Sequence, residues 1–291
     1  MSKLTDISYV KGVLSKHGFT FSKALGQNFL VNPSVCPKMA QLCLSEHTTG
    51  VIEIGPGAGV LTSELAQVAG KVVAIELDKR LLPVLDETLS EYDNVRVINA
   101  DVMKLDLHRL IKDEFPEGRA VICANLPYYI TSPVIMKILE ERLPIDALTV
   151  MVQKEAAERI CAEPGTRASG AVSAAVHYYS EPKLLFKVSA GSFIPAPKVD
   201  SAVIRLDILP EPPVRVSDEA LFFRVVRASF LHRRKTLPNS LSAGLSMPKP
   251  EVNSLLEEAG IRLTARAEEM TMQQFADITE TLYRHKKIPQ Q

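Results

Sequence analysis

Four side chains with oxygen acceptors fall at matching places in the chain. Glu53, Glu76, Asp101 and Asn125 lie at or just past the ends of short apolar runs: VIEI (51–54), VVAIE (72–76), VRVIN (95–99) and AVICA (120–124). Acceptors at the tips of successive strands can hold a ligand rich in hydroxyl and amino groups. The first run leads straight into GPGAG, with Gly55, Gly57 and Gly59, and then into a helical pattern at 60–69. Glycines there let the backbone approach a ligand, and a helix N-terminus offers free N–H groups. Glu76 follows Gly55 by 21 residues, where a carboxylate can accept both hydroxyls of a ribose.

Three readings of this loop compete. A purely structural turn does not explain three alternating glycines and a well-spaced acid. A nicotinamide dinucleotide fingerprint needs G-x-G-x-x-G, and its third glycine would fall at Val60. S-adenosylmethionine also has a ribose and an adenine but no pyrophosphate, and G-x-G-x-G suits it. Glu53, two residues before the loop, would organise the loop amides or meet that ligand's ammonium group. Asp101 would accept from an adenine amine, or simply cap the helix that follows.

The fourth run ends in Asn125, Leu126, Pro127, Tyr128 and Tyr129. An aromatic amine is a poor nucleophile because its lone pair is delocalised into the ring. The Asn125 oxygen and the carbonyl of Leu126 or Pro127 could accept its two N–H groups and return the lone pair to nitrogen. Pro127 fixes its own φ and biases Leu126 towards extended geometry. Tyr128 offers a face for the base, and such stacking is worth roughly 1–3 kcal/mol. That helps offset the few kcal/mol of extruding a base. No general base is required, and the six histidines are scattered.

These groups need a scaffold. Further β-branched runs occur at 148–153, 183–188 and 201–209, separated by helical patterns at 60–69, 79–91, 154–162 and 170–180. The alternation predicts an α/β, mainly parallel, doubly wound sheet. The last two strands follow each other closely, so an antiparallel edge pair is expected. Residues 1–208 form this domain, with an N-terminal extension at 1–45. LPEPPVRVSDE (209–219) reads as a linker, with Ser217 as the cap of the next helix. Residues 220–291 read as a smaller all-α domain, with helices at 219–235, 250–259 and 272–284.

Bulk properties fit that division. Residues 214–291 carry a net charge of +3 and residues 1–213 a net charge of −3, within a neutral chain of 291 residues. The four cysteines show no C-x-x-C and no metal-ligand spacing, which predicts reduced thiols and no metal. No apolar leader and no 18-residue apolar run occurs, so a cytoplasmic protein without a membrane segment is expected.

At this point the motifs resemble those of the ribosomal RNA adenine N6,N6-dimethyltransferase family, most closely its bacterial small-subunit branch. KALGQNFL (23–30), EIGPGAGVLT (53–62), NLPYYITSPVI (125–135) and FIPAPKVDSAVI (193–204) carry the likeness across nearly the whole chain. The resemblance implies a Rossmann-like class I methyltransferase fold using S-adenosyl-L-methionine. It implies donor contacts from Asn28, Leu30, Gly55, Gly57, Glu76, Asp101 and Asn125. It implies catalysis at Asn125, Leu126, Pro127 and Tyr128, with Phe193 on the far face of the target base. It further implies dimethylation of two adjacent adenosines in the 3′-terminal hairpin loop of small-subunit rRNA, in an immature subunit, by a monomer.

The helical domain is the expected RNA contact. In a continuous helix, Arg224, Arg227, Arg234 and Lys235 would share roughly a 100° arc, with Pro238 ending the helix soon after. Lys11, Lys16 and Lys23 are further candidates. Three rivals remain at this stage: a large-subunit enzyme of the macrolide-resistance type, a non-catalytic RNA-binding assembly factor, and a nicotinamide oxidoreductase.

Overall fold

The computed structural model describes residues 4, 6–19, 28–116, 119–232 and 234–287. They fall into two compact units.

The first unit spans residues 1–157 and 182–208. Its sheet runs β4-β3-β2-β5-β6-β9-β7, with β2 Thr48–Ile54, β3 Lys71–Glu76, β4 Val95–Asn99, β5 Arg119–Asn125, β6 Ile145–Gln153, β7 Ser180–Val188 and β9 Ser201–Ile208. Strands β2 to β6 are mutually parallel, and β9 is antiparallel to β6. Antiparallel β9 therefore lies one place in from the edge strand β7. Neighbours Val51 and Ile52 in β2, and Val121 and Ile122 in β5, are all fully buried although they point to opposite faces. That two-sided burial accounts for the unbroken apolar runs, since a parallel sheet must be covered on both faces.

The connecting helices are α2 Val35–Cys43, α3 Val60–Val68, α4 Leu82–Thr88, α5 Leu107–Glu114 and α6 Thr131–Glu140. Helices α2 and α3 pack together over the face carrying Val51, Val72, Val121 and Cys123. The short N-terminal helix α1, Ile7–Lys16, is capped by Asp6. Its Val10, Val13 and Leu14 pack against Val84, Leu85 and Leu89 of the α4 region. Lys16 and His17 both bond the Glu87 carboxylate, at 2.8 and 2.7 Å. Lys16 is thus partnered, while Lys23 lies outside the described residues.

From β2 the chain builds outwards to β3 and β4, then returns to the other side of β2 as β5 and β6. This reversal opens a crevice at the carboxyl ends of β2 and β5, the usual ligand position in such sheets. A second, two-stranded sheet joins β1, Phe29–Leu30, to β8, Phe193–Ile194, antiparallel, with Leu30 opposite Phe193.

The second unit spans residues 158–181 and 209–291. It contains α8 Ala171–Tyr179, α9 Glu219–Ser229, α10 Leu237–Leu245, α11 Lys249–Glu258 and α12 Met272–Lys287, while α7, Lys154–Ile160, runs across the boundary. Residues 158–181, set with the sheet domain in the sequence reading, cluster here for an aromatic reason. Tyr178 and Tyr179 pack their rings on Phe222 and Phe223, and both hydroxyls donate to Glu219. The expected linker is also part of this unit: Leu209 N–H donates to the Tyr179 carbonyl, and Ser217 donates to Glu280. Asp218, not Ser217, caps α9.

Helix α9 stops at Ser229, six residues short of the sequence expectation. Pro238 starts α10 instead of ending α9. Proline suits the first turn of a helix, where its missing N–H costs nothing.

Candidate active site

The glycine loop joins β2 to α3. Gly55, Gly57 and Gly59 have φ of +75°, +62° and +85°, a region that side-chain-bearing residues avoid. Gly55 N–H donates to the Ile75 carbonyl at 2.9 Å, tying the loop to β3. A Cβ on Gly57 would sit 2.9 Å from the Phe29 ring. Gly57 therefore has to be glycine for two reasons: its dihedral and the ring above it.

Glu76 closes β3 and is nearly buried. One carboxylate oxygen accepts from Asp78 N–H at 2.7 Å, and the other from Gly57 N–H at 3.3 Å. Burial raises its pKa, and these backbone donors oppose the rise. Each carboxylate oxygen keeps a lone pair for a ligand hydroxyl.

Glu53 has 1% exposure, lines the same cleft, and its Oε2 has no hydrogen-bond partner among the described residues. Burial pushes its carboxyl up to about 8, and the charge of Glu76 adds to the rise. The sequence left two roles open for Glu53. The loop amide is held by Glu76, so Glu53 is left with an unmatched oxygen that suits a cationic group.

Asp101 serves partly as the turn residue its alternative reading required. Its Oδ1 accepts Met103 N–H at 3.0 Å, and its Oδ2 lies 3.8 Å from the Lys104 ammonium. It too lines the cleft.

Asn125 ends β5, beside the tip of β2. Its carboxamide forms no hydrogen bond among the described residues, and it faces the cleft with Leu126, Pro127 and Tyr128. The Pro127 carbonyl is already engaged: it accepts Ile130 N–H at 3.1 Å and the Thr131 hydroxyl at 3.3 Å, which starts α6. The Leu126 carbonyl has no such partner among the described residues. Of the two backbone acceptors considered, Leu126 is the one left available.

Tyr128 is half-buried and its hydroxyl meets Ser201 Oγ at 2.8 Å. Ser201 opens β9 and is fully buried. Phe193 lines the cleft from β8, and the β1 pairing brings Asn28 and Leu30 to the same cavity. The pairing is extended by Val31 N–H to the Ser192 carbonyl at 2.8 Å and by Asn32 to the Ser192 hydroxyl at 3.1 Å. The cleft encloses about 1190 Å³ including its open mouth, room for a nucleoside-sized ligand and a second flat group.

Every candidate donor and catalytic residue thus borders one cavity. Three contributors were not expected from the sequence. Phe29 lies over the glycine loop. Asp78 holds Arg80 through both oxygens, at 2.8 and 2.6 Å. Ser201 anchors Tyr128 across 73 residues of chain. Asp78 had a local signal, two residues past Glu76; Ser201 had none, because nothing nearby marks a serine as a tyrosine's partner.

The basic run differs from expectation. Arg224 and Arg227 are exposed on α9, opposite its buried Phe222, Val225 and Val226. Arg234 and Lys235 are exposed but lie past the helix end, so no single helical arc unites the four. Arg233 lies outside the described residues. Among the described residues, no cluster of His, Cys, Asp and Glu could hold a metal, and no helix is long and apolar enough to cross a membrane.

Known proteins resemble this chain in sequence and in fold. Proteins called ribosomal RNA small subunit methyltransferase A, from Bacillus mycoides and Bacillus anthracis, are 47% identical over 290 residues, covering 98% of this chain and 99% of each relative. A dimethyladenosine transferase from Plasmodium falciparum superposes with a TM-score of 0.72 at 25% identity, over 89% of this chain and 98% of that one. The 23S rRNA methyltransferase ErmE gives 0.66 at 28% identity, over 88% and 99%. The ribosomal RNA adenine dimethylase family description matches residues 18–284, from the N-terminal segment through the glycine loop and the Asn-Leu-Pro-Tyr turn into the last helix, and the chain belongs to that family.

Proposed function

We propose that this chain methylates N6 of adenosines in small-subunit rRNA, converting two adjacent adenosines of the 3′-terminal hairpin loop to N6,N6-dimethyladenosine. S-adenosylmethionine supplies the reaction with an activated methyl group on a sulfonium. The residues present suit that donor: Gly57 leaves the space a Cβ would fill, Glu76 offers acceptors for ribose hydroxyls, and the unmatched oxygen of Glu53 suits the ammonium end. Asp101 accepts from the donor's adenine amine, while Asn28 and Leu30 close over the site.

The chemistry at the target nitrogen belongs to the protein. The Asn125 oxygen and the Leu126 carbonyl accept the two amine hydrogens and localise the lone pair on nitrogen. Tyr128 and Phe193 hold the base between them. With the donor bound, the new nitrogen–carbon bond would replace the methyl–sulfur bond, leaving a neutral thioether as product, and the nitrogen, then cationic, would pass its proton to water without a dedicated base.

The observation that carries this reading is the uncommitted carboxamide of Asn125 beside the uncommitted carbonyl of Leu126, at the mouth of a donor cleft. The names of the relatives support a small-subunit target, and the likeness to ErmE makes large-subunit rRNA the control. Arg224, Arg227, Arg234 and Lys235 are the proposed contacts to RNA. An immature small subunit is the proposed form of the substrate, and the cytoplasm the proposed location of a monomeric enzyme.

The test is transfer of labelled methyl groups to small and large subunits from a strain lacking the modification, with nucleosides identified by mass spectrometry. Dimethyladenosine in small-subunit rRNA alone is expected. Label confined to large-subunit rRNA, or none in either, would sink the proposal. In the same assay Asn125→Ala is expected to lose turnover by about 100- to 1000-fold, the scale of removing one polar group matched to the transition state. Its affinity for S-adenosylhomocysteine, measured by calorimetry, should fall far less than turnover, since Asn125 is only one of several donor contacts.

A further inference from the structure

The cleft has a rim that the reaction does not use. Tyr128 and Tyr129 are consecutive yet differently placed. Tyr128 is held inward by Ser201, whereas Tyr129 is 60% exposed and its hydroxyl has no partner among the described residues. Tyr129 borders the same cleft. The loop after β3 carries Leu77, 52% exposed and also lining the cleft. The loop after β4 carries exposed Met103, whose N–H is fixed by Asp101. Each of these loops also presents an exposed lysine, Lys79 and Lys104. Lys104 lies 3.8 Å from Asp101, and Lys79 has no acidic partner among the described residues.

Tyr129 and Leu77 both expose apolar surface at one opening, and apolar surface grouped at a cavity mouth marks a place for a ligand. An aromatic face with an apolar neighbour and an unneutralised cation, Lys79, fits a base and its phosphate, the pairing used by proteins that hold single-stranded nucleic acid. A protein or membrane partner is less well matched, because the patch is small and sits at the opening of a catalytic cavity.

We propose that Tyr129, with Leu77, forms a subsite for the nucleotide adjoining the target adenosine. Its base stacks on Tyr129, and Lys79 faces the connecting phosphate. Extruding one base breaks its stacking with the next, and the rim supplies a replacement surface for that neighbour. This subsite rests on the adenosine N6-methylation reading above.

The experiment compares the wild-type full chain, Tyr129→Ala and Tyr129→Phe in methyl transfer to unmodified small subunits. Tyr129→Ala should lower kcat/KM for the subunit by roughly 5- to 150-fold, the loss of one base stack. Tyr129→Phe keeps the ring and should stay within a few-fold of wild type. Calorimetry with S-adenosylhomocysteine should give equal affinity for all three proteins. Wild-type kcat/KM in Tyr129→Ala would overturn the subsite, and so would a loss that Tyr129→Phe fails to restore. Failure of the wild-type chain to methylate small-subunit adenosine would instead bring down the functional reading itself.

Discussion

At the scale of single residues, Glu53 is the most constrained group in the cleft. It is buried beside another carboxylate, Glu76, and next to the thiols of Cys36 and Cys123. A carboxyl raised from 4.5 to about 8 is protonated in the empty protein at neutral pH. Between those values the native state binds more protons than the unfolded chain, so stability falls as pH rises through this window and then levels off. A cationic ligand reverses the preference, because it favours the carboxylate. Donor affinity should therefore climb with pH up to about 8, approaching roughly tenfold per unit below it. Calorimetric titration across this range checks the slope, and Glu53→Gln should flatten it.

Ser201 makes a quieter claim. Replacing it with alanine removes the partner of the Tyr128 hydroxyl, and a hydrogen bond of this kind contributes about 1 kcal/mol. Ser201→Ala should melt within a few degrees of wild type yet lose turnover several-fold, as the ring of Tyr128 is freed. Tyr128→Phe should lose a similar amount, and the double variant little more than either single one.

At the scale of elements, the glycine loop shows what sequence patterns can and cannot reveal. Glu53, Glu76, Asp101 and Asn125 were legible as strand-end residues because strands of a parallel sheet are marked by β-branched runs followed by turn residues. The three glycines were legible because positive φ restricts residue type. The end of α9 was not legible: 224–235 has helical composition throughout, and the chain breaks at Ser229 to begin a second helix around Pro238. The placement of 158–181 was hidden for a different reason. It depends on ring packing between Tyr178 and Phe222, which lie far apart in the chain, in segments that share no local pattern.

The same scale yields a test of the loop. Gly57→Ala puts a side chain at φ +62° and 2.9 Å from the Phe29 ring. Left-handed geometry alone costs about 1–2 kcal/mol. A drop in melting temperature of several degrees is expected, together with weaker donor binding in calorimetry. Gly57→Ala with wild-type donor affinity would show that the loop tolerates displacement of Phe29.

At the scale of the whole molecule, a neutral chain has to bind a polyanion. Its positive excess is in residues 214–291. Arg224 and Arg227 stay on the outward side of α9 whatever the fate of the residues beyond it. Removing the cationic partner of one phosphate should reduce the salt slope of RNA affinity by about 0.7–0.9 log units per log unit of salt. Arg224→Gln combined with Arg227→Gln should flatten that slope in filter binding to small subunits and leave the affinity for S-adenosylhomocysteine unchanged. An unaltered slope would remove these two arginines from the RNA footprint.

The two-residue ladder between Phe29–Leu30 and Phe193–Ile194 ties together segments distant in the chain. Both border the cleft, and on the proposed reading one lies by the donor and the other by the incoming base. Neither can shift alone without breaking backbone hydrogen bonds, so the two segments are mechanically coupled. On the proposed reading, access for the purine and retention of the methyl source would therefore be linked through one ladder.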